Sequence, residues 1–352
     1  MKVNSISYLL VCVFFAFSCK KTNKESVSTA STAYHQLSGE VIGTYYAMKY
    51  EGEDGLRMEV DSLFEALNIS LSTYVSEATI SKFNQADDTY TYSSNEDIHF
   101  EAVWLEAKRI HQLSQGDFDP TVGPLVNFYG FGYTGKEKVE ALSKHAIDSI
   151  LSLVGFDKMT LERKDDIVTL KKSVKGSELD FSAIAKGYYV DQLAQFLESK
   201  GISNYLVDIG GESNAKGVND KGSVWVVGIN KPKEESAYTD LELALKLDNM
   251  AVASSGNYRN YYVNKAGEKF VHTIDPKSGL TKESGLLSTT ILAPNCMLAD
   301  AIATTCMVKG LESALEFIET QSDLEACFII EDASGNLVHK YSSGFENYVL
   351  PI

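Results

Sequence analysis

Five short runs, residues 204–209, 224–229, 241–247, 286–292 and 326–330, constrain the architecture of this chain more than any other feature. Each is rich in β-branched or aromatic residues, as strands are. Many are too polar at alternate positions for an all-parallel sheet covered on both faces, whose strands read as near-continuous apolar runs. Helical patterns lie between them. Leu56, Val60, Leu63, Phe64 and Leu67 recur at helical spacing. So do Phe100, Val103, Trp104, Ala107, Ile110 and His111, with Gly116 as a stop. Further helices are expected over residues 185–200, burying Tyr189, Leu193, Phe196 and Leu197, and over 297–308 and 311–319. Gly201 suits the position just past a helix, where φ is often positive. The pattern predicts an α+β fold with mixed or antiparallel sheets packed on helices. No fixed-period repeat and no clear linker divides it; residues 231–237 read as a polar loop.

The N-terminus stands apart. Lys2 precedes an almost wholly apolar run from Ile6 to Ser18. A bilayer span needs about 20 apolar residues, so the run is too short to cross and fits the core of a secretory signal peptide. It ends Ala16-Phe17-Ser18-Cys19, which resembles a bacterial lipobox whose cysteine is lipidated and becomes the new N-terminus. An ordinary cleaved signal, with Cys19 incidental, is the alternative. One acyl chain binds a membrane marginally, whereas the several chains of a bacterial lipoprotein hold firmly. Residues 20–32 are Lys, Ser, Thr, Asn and Glu with little apolar content, so they cannot bury enough surface to fold. The expected organisation is a signal peptide over 1–18, a lipidated flexible tether over 19–34 and a folded domain over 35–352. Such a protein would sit in the cell envelope of a bacterium, anchored to a membrane and facing the periplasm or the exterior.

The formal charge is −16; residues 1–18 carry one Lys and no acid, so the cleaved chain carries −17. That excludes the basic footprint a nucleic-acid partner requires. There are 5 cysteines and no C-x-x-C. With Cys12 removed and Cys19 lipidated, Cys296, Cys306 and Cys327 remain, and they are expected to be buried and reduced rather than a disulfide framework.

Six islands could carry chemistry. The first comprises Gly43-Thr44-Tyr45-Tyr46, Leu71-Ser72-Thr73-Tyr74 and Phe83-Asn84, which on spacing alone read as structural. The second runs from Gly116 to Leu125 through Asp117, Phe118 and Asp119; its Gly, Asp and Pro content marks a tight loop, and two carboxylates flanking an aromatic could instead hold polar ligand atoms beside a ring. In the third, Leu179 to Asp191, Asp180 or Ser182 could cap a helix. There Lys186 could meet a phosphate near the helix start, or simply be solvated. The fourth, Val207 to Glu212, ends a strand with two glycines that permit close backbone approach or form a turn. The fifth places Val252 to Arg259 before Val271 to Gly279, with His272 and Thr273 at a strand end beside an Asp-Pro turn. The sixth is Asn295 to Thr305. If helical, Asp300 and Thr304 share a face. An acid among small apolar residues is costly unless paired or metal-bound, and a carboxylate with a hydroxyl suits Mg2+. The alternative is an acid compensated by a helix dipole.

In their order, these islands resemble the FAD:protein FMN transferase (ApbE) family over roughly residues 40–310. The motifs are G-T-Y-Y, S-T-Y, G-D-F-D-P-T-V-G-P-L, L-D-F-S-A-I-A-K-G-Y, L-V-D-I-G-G-E, S-S-G-N-Y, H-T-I-D-P-K-S-G and A-D-A-I-A-T. The resemblance implies an α+β fold with the nucleotide in a central cleft. It implies transfer of FMN from FAD, with Mg2+, to a threonine of an exported acceptor protein through a phosphoester, releasing AMP. Carried over, Ile42, Tyr74, Asp117, Phe118, Asp119, Asp180, Lys186 and Thr273 would contact FAD. Asp300, Thr304 and the Ala183 carbonyl would hold Mg2+. His272 would assist proton transfer or stabilise phosphate charge, and Asp300 would contribute through the metal. The chain departs from the family at Ile42, commonly Met, and at Asn257, commonly Asp. Two other functions fit the same residues: an Mg2+-dependent FAD pyrophosphatase, in which water replaces threonine, and a non-catalytic flavin-binding lipoprotein.

Overall fold

The computed structural model describes residues 33–135, 137–236, 240–258, 260–282 and 285–351. The folded unit runs over Ala33–Ile352. The signal peptide, Cys19 and nearly all of the expected tether lie outside the described residues.

An eight-stranded sheet organises the unit. Its spatial order is β1 (Tyr34–Val41), β2 (Thr44–Glu51), β6 (Tyr205–Ile209), β7 (Glu212–Lys216), β10 (Met250–Gly256), β13 (Leu286–Ala293), β14 (Glu325–Glu331) and β15 (Leu337–Tyr341). Two three-stranded sheets accompany it. One is ordered β3 (Thr89–Ser93), β5 (Ile167–Lys172), β4 (Met159–Lys164), and the other β16 (Val349–Leu350), β9 (Leu241–Leu247), β8 (Trp225–Asn230). A ribbon pairs β11 (Tyr261–Val263) with β12 (Lys269–Val271). Every ladder between these strands is antiparallel, which settles the mixed-or-antiparallel expectation. The helices are α1 (Arg57–Leu71), α2 (Thr79–Gln85), α3 (His99–Leu113), α4 (Gly123–Phe128), α5 (Lys144–Leu151), α6 (Ala185–Ser199), α7 (Cys296–Lys309) and α8 (Leu311–Glu319).

The large sheet is covered on both faces, and the period of two along a strand sorts its residues accordingly. Ala251 and Ala253, Ile291 and Ala293, and Ala326 and Phe328 join Val60, Leu67, Trp104, Leu193 and Ile302 of the helices in the main core. Val252, Leu292, Cys327 and Ile329 point the other way, onto Trp225, Leu243, Leu245 and Leu247 of the small sheet. A satellite core gathers Leu125, Tyr129, Val154, Tyr262, Phe270 and Ile274.

α7 is the central helix. It is apolar on nearly every side and almost wholly buried, as a helix without a polar face must be. It crosses α6 closely enough that a methyl group at Gly187 would come within 2.2 Å of Cys296 O. Its start is capped twice. Asn295 Oδ1 accepts from Leu298 N at 2.9 Å, and the Asp191 carboxylate accepts from Cys296 N and Met297 N at 2.8 Å each. α6 itself carries no side-chain cap: Ile184 precedes it, and Asp180 Oδ1 instead accepts from Ser182 N at 2.7 Å. The helix-capping alternative for Asp180 and Ser182 is thereby corrected. Asp180 and Ser182 lie ahead of the capping position, Ile184, and form a turn of their own instead of reaching the free N–H groups of the helix.

Candidate active site

α6, α7, the ends of β7, β8 and β10, and the loop after α3 converge on a cleft of about 540 Å³. Its walls include Tyr74, Asp117, Phe118, Asp119, Asp180, Ala183, Lys186, His272, Thr273, Asp300 and Thr304. Eleven of the twelve site residues expected within the described chain therefore meet in one cavity. Ile42 is the exception. It lies with Gly43 in the two-residue turn between β1 and β2, at φ 44 and 75, and lines an adjoining cavity of about 730 Å³. That cavity shares Tyr74, Asp180, Ser182 and Lys186 with the main cleft.

Lys186, Glu212 and Asp300 form the electrostatic centre. Lys186 pairs with Glu212 and keeps 33% of its side chain open to the cleft. Burial opposes the Lys186 charge, but the Glu212 and Asp300 carboxylates overcome it and raise the pKa. Burial likewise pushes Glu212 up to about 7, against the pull of Lys186. Asp300 is raised by burial, with Lys186 and the Gly187 N–H working the other way. The Gly187 N–H donates to Asp300 Oδ2 at 2.9 Å. Glu212 Oε2 is buried with no hydrogen-bond partner among the described residues. One ammonium thus faces two carboxyl groups, and with both ionised the centre has an excess of negative charge.

A cation fits that excess. Among the described residues no three His, Cys, Asp or Glu side chains form a metal cluster. The available donors are instead a buried carboxylate on Asp300, the Thr304 hydroxyl and the Ala183 carbonyl, all on the cleft wall. These are hard oxygens, the set Mg2+ takes while retaining water or phosphate ligands. Thr304 is one turn beyond Asp300 on α7, and its hydroxyl meets Ser255 Oγ at 3.1 Å.

His272 follows β12. Its Nδ1 bonds the Asn260 carbonyl at 3.2 Å, so Nδ1 carries the proton and Nε2 is left as the acceptor. Desolvation lowers its pKa and Lys186 adds to this, with the Asn260 contact opposing. Next to it, the Thr273 hydroxyl donates to Asn257 Oδ1 at 2.7 Å, and Asn257 Nδ2 donates to Lys282 O at 3.2 Å. An amide performs both tasks and a carboxylate only the first, which gives Asn257 a structural reason at the position where the chain departs from its resemblance.

The loop after α3 is held internally. Asp117 lies between Lys277 and Lys309, each at 2.6 Å. Burial alone would raise its pKa, but the two ammonium groups hold it below the usual range. Asp119 accepts from Thr121 N at 2.8 Å and Thr121 Oγ1 at 2.6 Å, and burial raises it. Tyr74 stands at the mouth, 73% exposed and edge-on to Tyr133 at 6.2 Å. Sequence reasoning quoted Glu212 only within a glycine turn and left Asp191 without a role. The available signal was an acid set directly after Gly-Gly at a strand end, and a second acid on a helix whose other residues are mostly apolar.

This fold is that of the flavin transferases. The flavin transferase ApbE of Vibrio cholerae matches with a TM-score of 0.78 and 33% identity, covering 90% of this chain and 99% of that one. The apo flavinyl transferase ApbE of Pseudomonas stutzeri matches at 0.78 and 30%, covering 90% and 96%. The FAD:protein FMN transferase of Haemophilus influenzae is 35% identical over 344 residues, 96% of each chain. The chain belongs to the ApbE family, whose model matches residues 42–328. It is an enzyme, a flavin transferase.

Proposed function

We propose that this enzyme transfers FMN from FAD to a threonine of an exported acceptor protein. The observation that carries the reading is the meeting of Lys186, Asp300, Thr304 and His272 on one cleft. FAD brings an anionic pyrophosphate to a centre already holding two carboxylates and one ammonium. Asp300, Thr304 and the Ala183 carbonyl would hold Mg2+, which when bound neutralises phosphate charge and polarises the phosphoryl group. Lys186, fixed by Glu212, contributes its ammonium to the phosphate oxygens. Neutral His272 takes the proton of the threonine hydroxyl at Nε2. The threonine oxygen forms a bond to the phosphorus of the FMN half, the bond from that phosphorus to the bridging oxygen breaks, and AMP leaves. The product is a threonine–FMN phosphoester. Positioning and electrostatics carry such a transfer, since little covalent chemistry falls to the protein.

One assay tests the reading against both alternatives. The domain is incubated with FAD, Mg2+ and candidate exported proteins, and each is weighed. A gain of one FMN on a threonine supports transfer. Free FMN and AMP point to a pyrophosphatase, and intact FAD to a binding protein. The reading also places the domain at the bacterial cell envelope, tethered through a lipid on Cys19 and facing the periplasm or exterior. Cys19→Ser should release it from the membrane fraction; retention there would sink the anchor.

A further inference from the structure

β8 is the outer strand of its three-stranded sheet. It pairs with β9 on one side, and no strand pairs with the other among the described residues. Gly228, Ile229 and Asn230 all line the cleft, and no residue of β9 does. Side chains of neighbouring strand residues point to opposite faces. Gly228 is exposed, whereas Ile229 is turned into the core at 6% exposure. Neighbours on opposite faces that line one cavity place the cavity along the backbone edge of the strand. The cleft therefore meets β8 on its unpaired side.

Open edges are usually guarded by charge, by proline or by brevity. Most of the other edges here are. β1 carries His35 and Glu40, β4 carries Glu162, Arg163 and Lys164, β15 carries His339 and Lys340, and β16 is 2 residues long. β3 is uncharged but built of Thr, Tyr and Ser, and none of it reaches the cleft. β8 reads Trp-Val-Val-Gly-Ile-Asn, without charge or proline; its register with β9 shifts only at its last step, between Ile229 and Asn230, and Val226 is 48% exposed. An apolar, unguarded edge opening on the reaction cleft is where an incoming chain would pair.

We propose that the free edge of β8 takes an extended segment of the acceptor protein as an added strand, which carries its hydroxyl residue into the cleft opposite His272. This deepens the flavin-transfer reading and rests on it. Main-chain hydrogen bonds would supply affinity whatever the acceptor's side chains, and alternate residues of the segment would face the cleft. Acceptors of differing sequence could then share one enzyme, provided that they offer an extended threonine-bearing segment.

The test uses a synthetic peptide centred on the threonine that gains FMN in the mass assay. The peptide is N-methylated at one amide at a time, and transfer is followed with the full folded domain, FAD and Mg2+. Methylation removes one donor and blocks strand pairing there. KM should rise about tenfold at every second position, the loss of one net hydrogen bond, and stay level between them. FAD binding, read by flavin fluorescence, should not change. Equal tolerance at all positions overturns the proposal. So does slow exchange, without acceptor, of those amides among residues 226–229 that point away from β9, because a second copy or residues 1–32 would then occupy the edge. If the unmethylated peptide gains no FMN while FAD still binds, the flavin-transfer reading fails instead.

Discussion

Gly187 and Asp300 are joined by a 2.9 Å hydrogen bond from the backbone N–H of one to Oδ2 of the other, across the crossing of α6 and α7. The crossing is tight because residue 187 has no side chain. The same contact that packs two helices thus orients the carboxylate at the centre of the cleft.

Gly187→Ala should therefore damage both. A Cβ would stand 2.2 Å from Cys296 O and 2.7 Å from Met297 Cα, backbone atoms that cannot turn aside. Overpacking of this kind costs roughly 1–3 kcal/mol. Chemical denaturation should show that loss, and transfer should fall with it. Undiminished stability would mean that the helices can separate without cost.

Asp300→Asn removes the charge and keeps the shape. Mg2+ binding by calorimetry should be lost, and transfer should fall by about 100-fold or more, the scale of removing one preorganised electrostatic contact. Thr304→Val should weaken Mg2+ by a smaller factor, because phosphate and water ligands remain. Wild-type Mg2+ affinity in Asp300→Asn would remove this residue from the metal site.

The pH dependence of kcat/KM should report His272. A base must be neutral, so activity falls as pH drops through its pKa. Desolvation and Lys186 hold that pKa below the ordinary 6.5, so the acid limb should lie below pH 6.5. His272→Ala should erase the limb and lower kcat by about 100-fold. Unchanged turnover in that variant would eliminate His272 as the base.

The share of the metal-free domain's stability that Glu212 and Asp191 contribute should fall as pH rises from about 5 to about 7, against the opposite effect, over a smaller window, of the lowered His99 and His272. Glu212, raised to about 7, and Asp191, raised to about 6, bind protons more tightly folded than unfolded. Where the native state binds more protons, stability decreases with pH. Thermal melts across this window should show the slope, and Glu212→Gln should flatten its upper part. A Glu212→Gln variant whose Tm follows the same pH slope as wild type would contradict the Glu212 shift.

Much of the scaffold could be read from the sequence. α8 and β9 match the expected residues end to end, and α6 and α7 are expected to within one or two residues. Those segments have strong periodicity or clear stops, such as Gly201 at φ 78. α2, α4 and α5 were not seen; at 7, 6 and 8 residues they are too short for a helical period to emerge. At the site, Asp300 and Thr304 were legible because four residues along a helix is a local distance. The Lys186–Glu212 pair spans 26 residues, and the Asp191 cap on α7 spans 105 to Cys296. No local pattern encodes such meetings, since the sheet and the helix crossing create them. Ile42, in a turn at positive φ, lines the adjoining cavity, which shares Tyr74, Asp180 and Lys186 with the main cleft.

Cys296, Cys306 and Cys327 are buried and unpaired, and burial pushes all three thiols up. The thiolate is the form that oxidants and disulfides attack, so these sulfurs are chemically quiet. The fold thus needs no disulfide-forming machinery. Within the described residues these three thiols would stay unchanged in reducing and in oxidising surroundings, so the redox state of the place where the domain works would not set its lifetime.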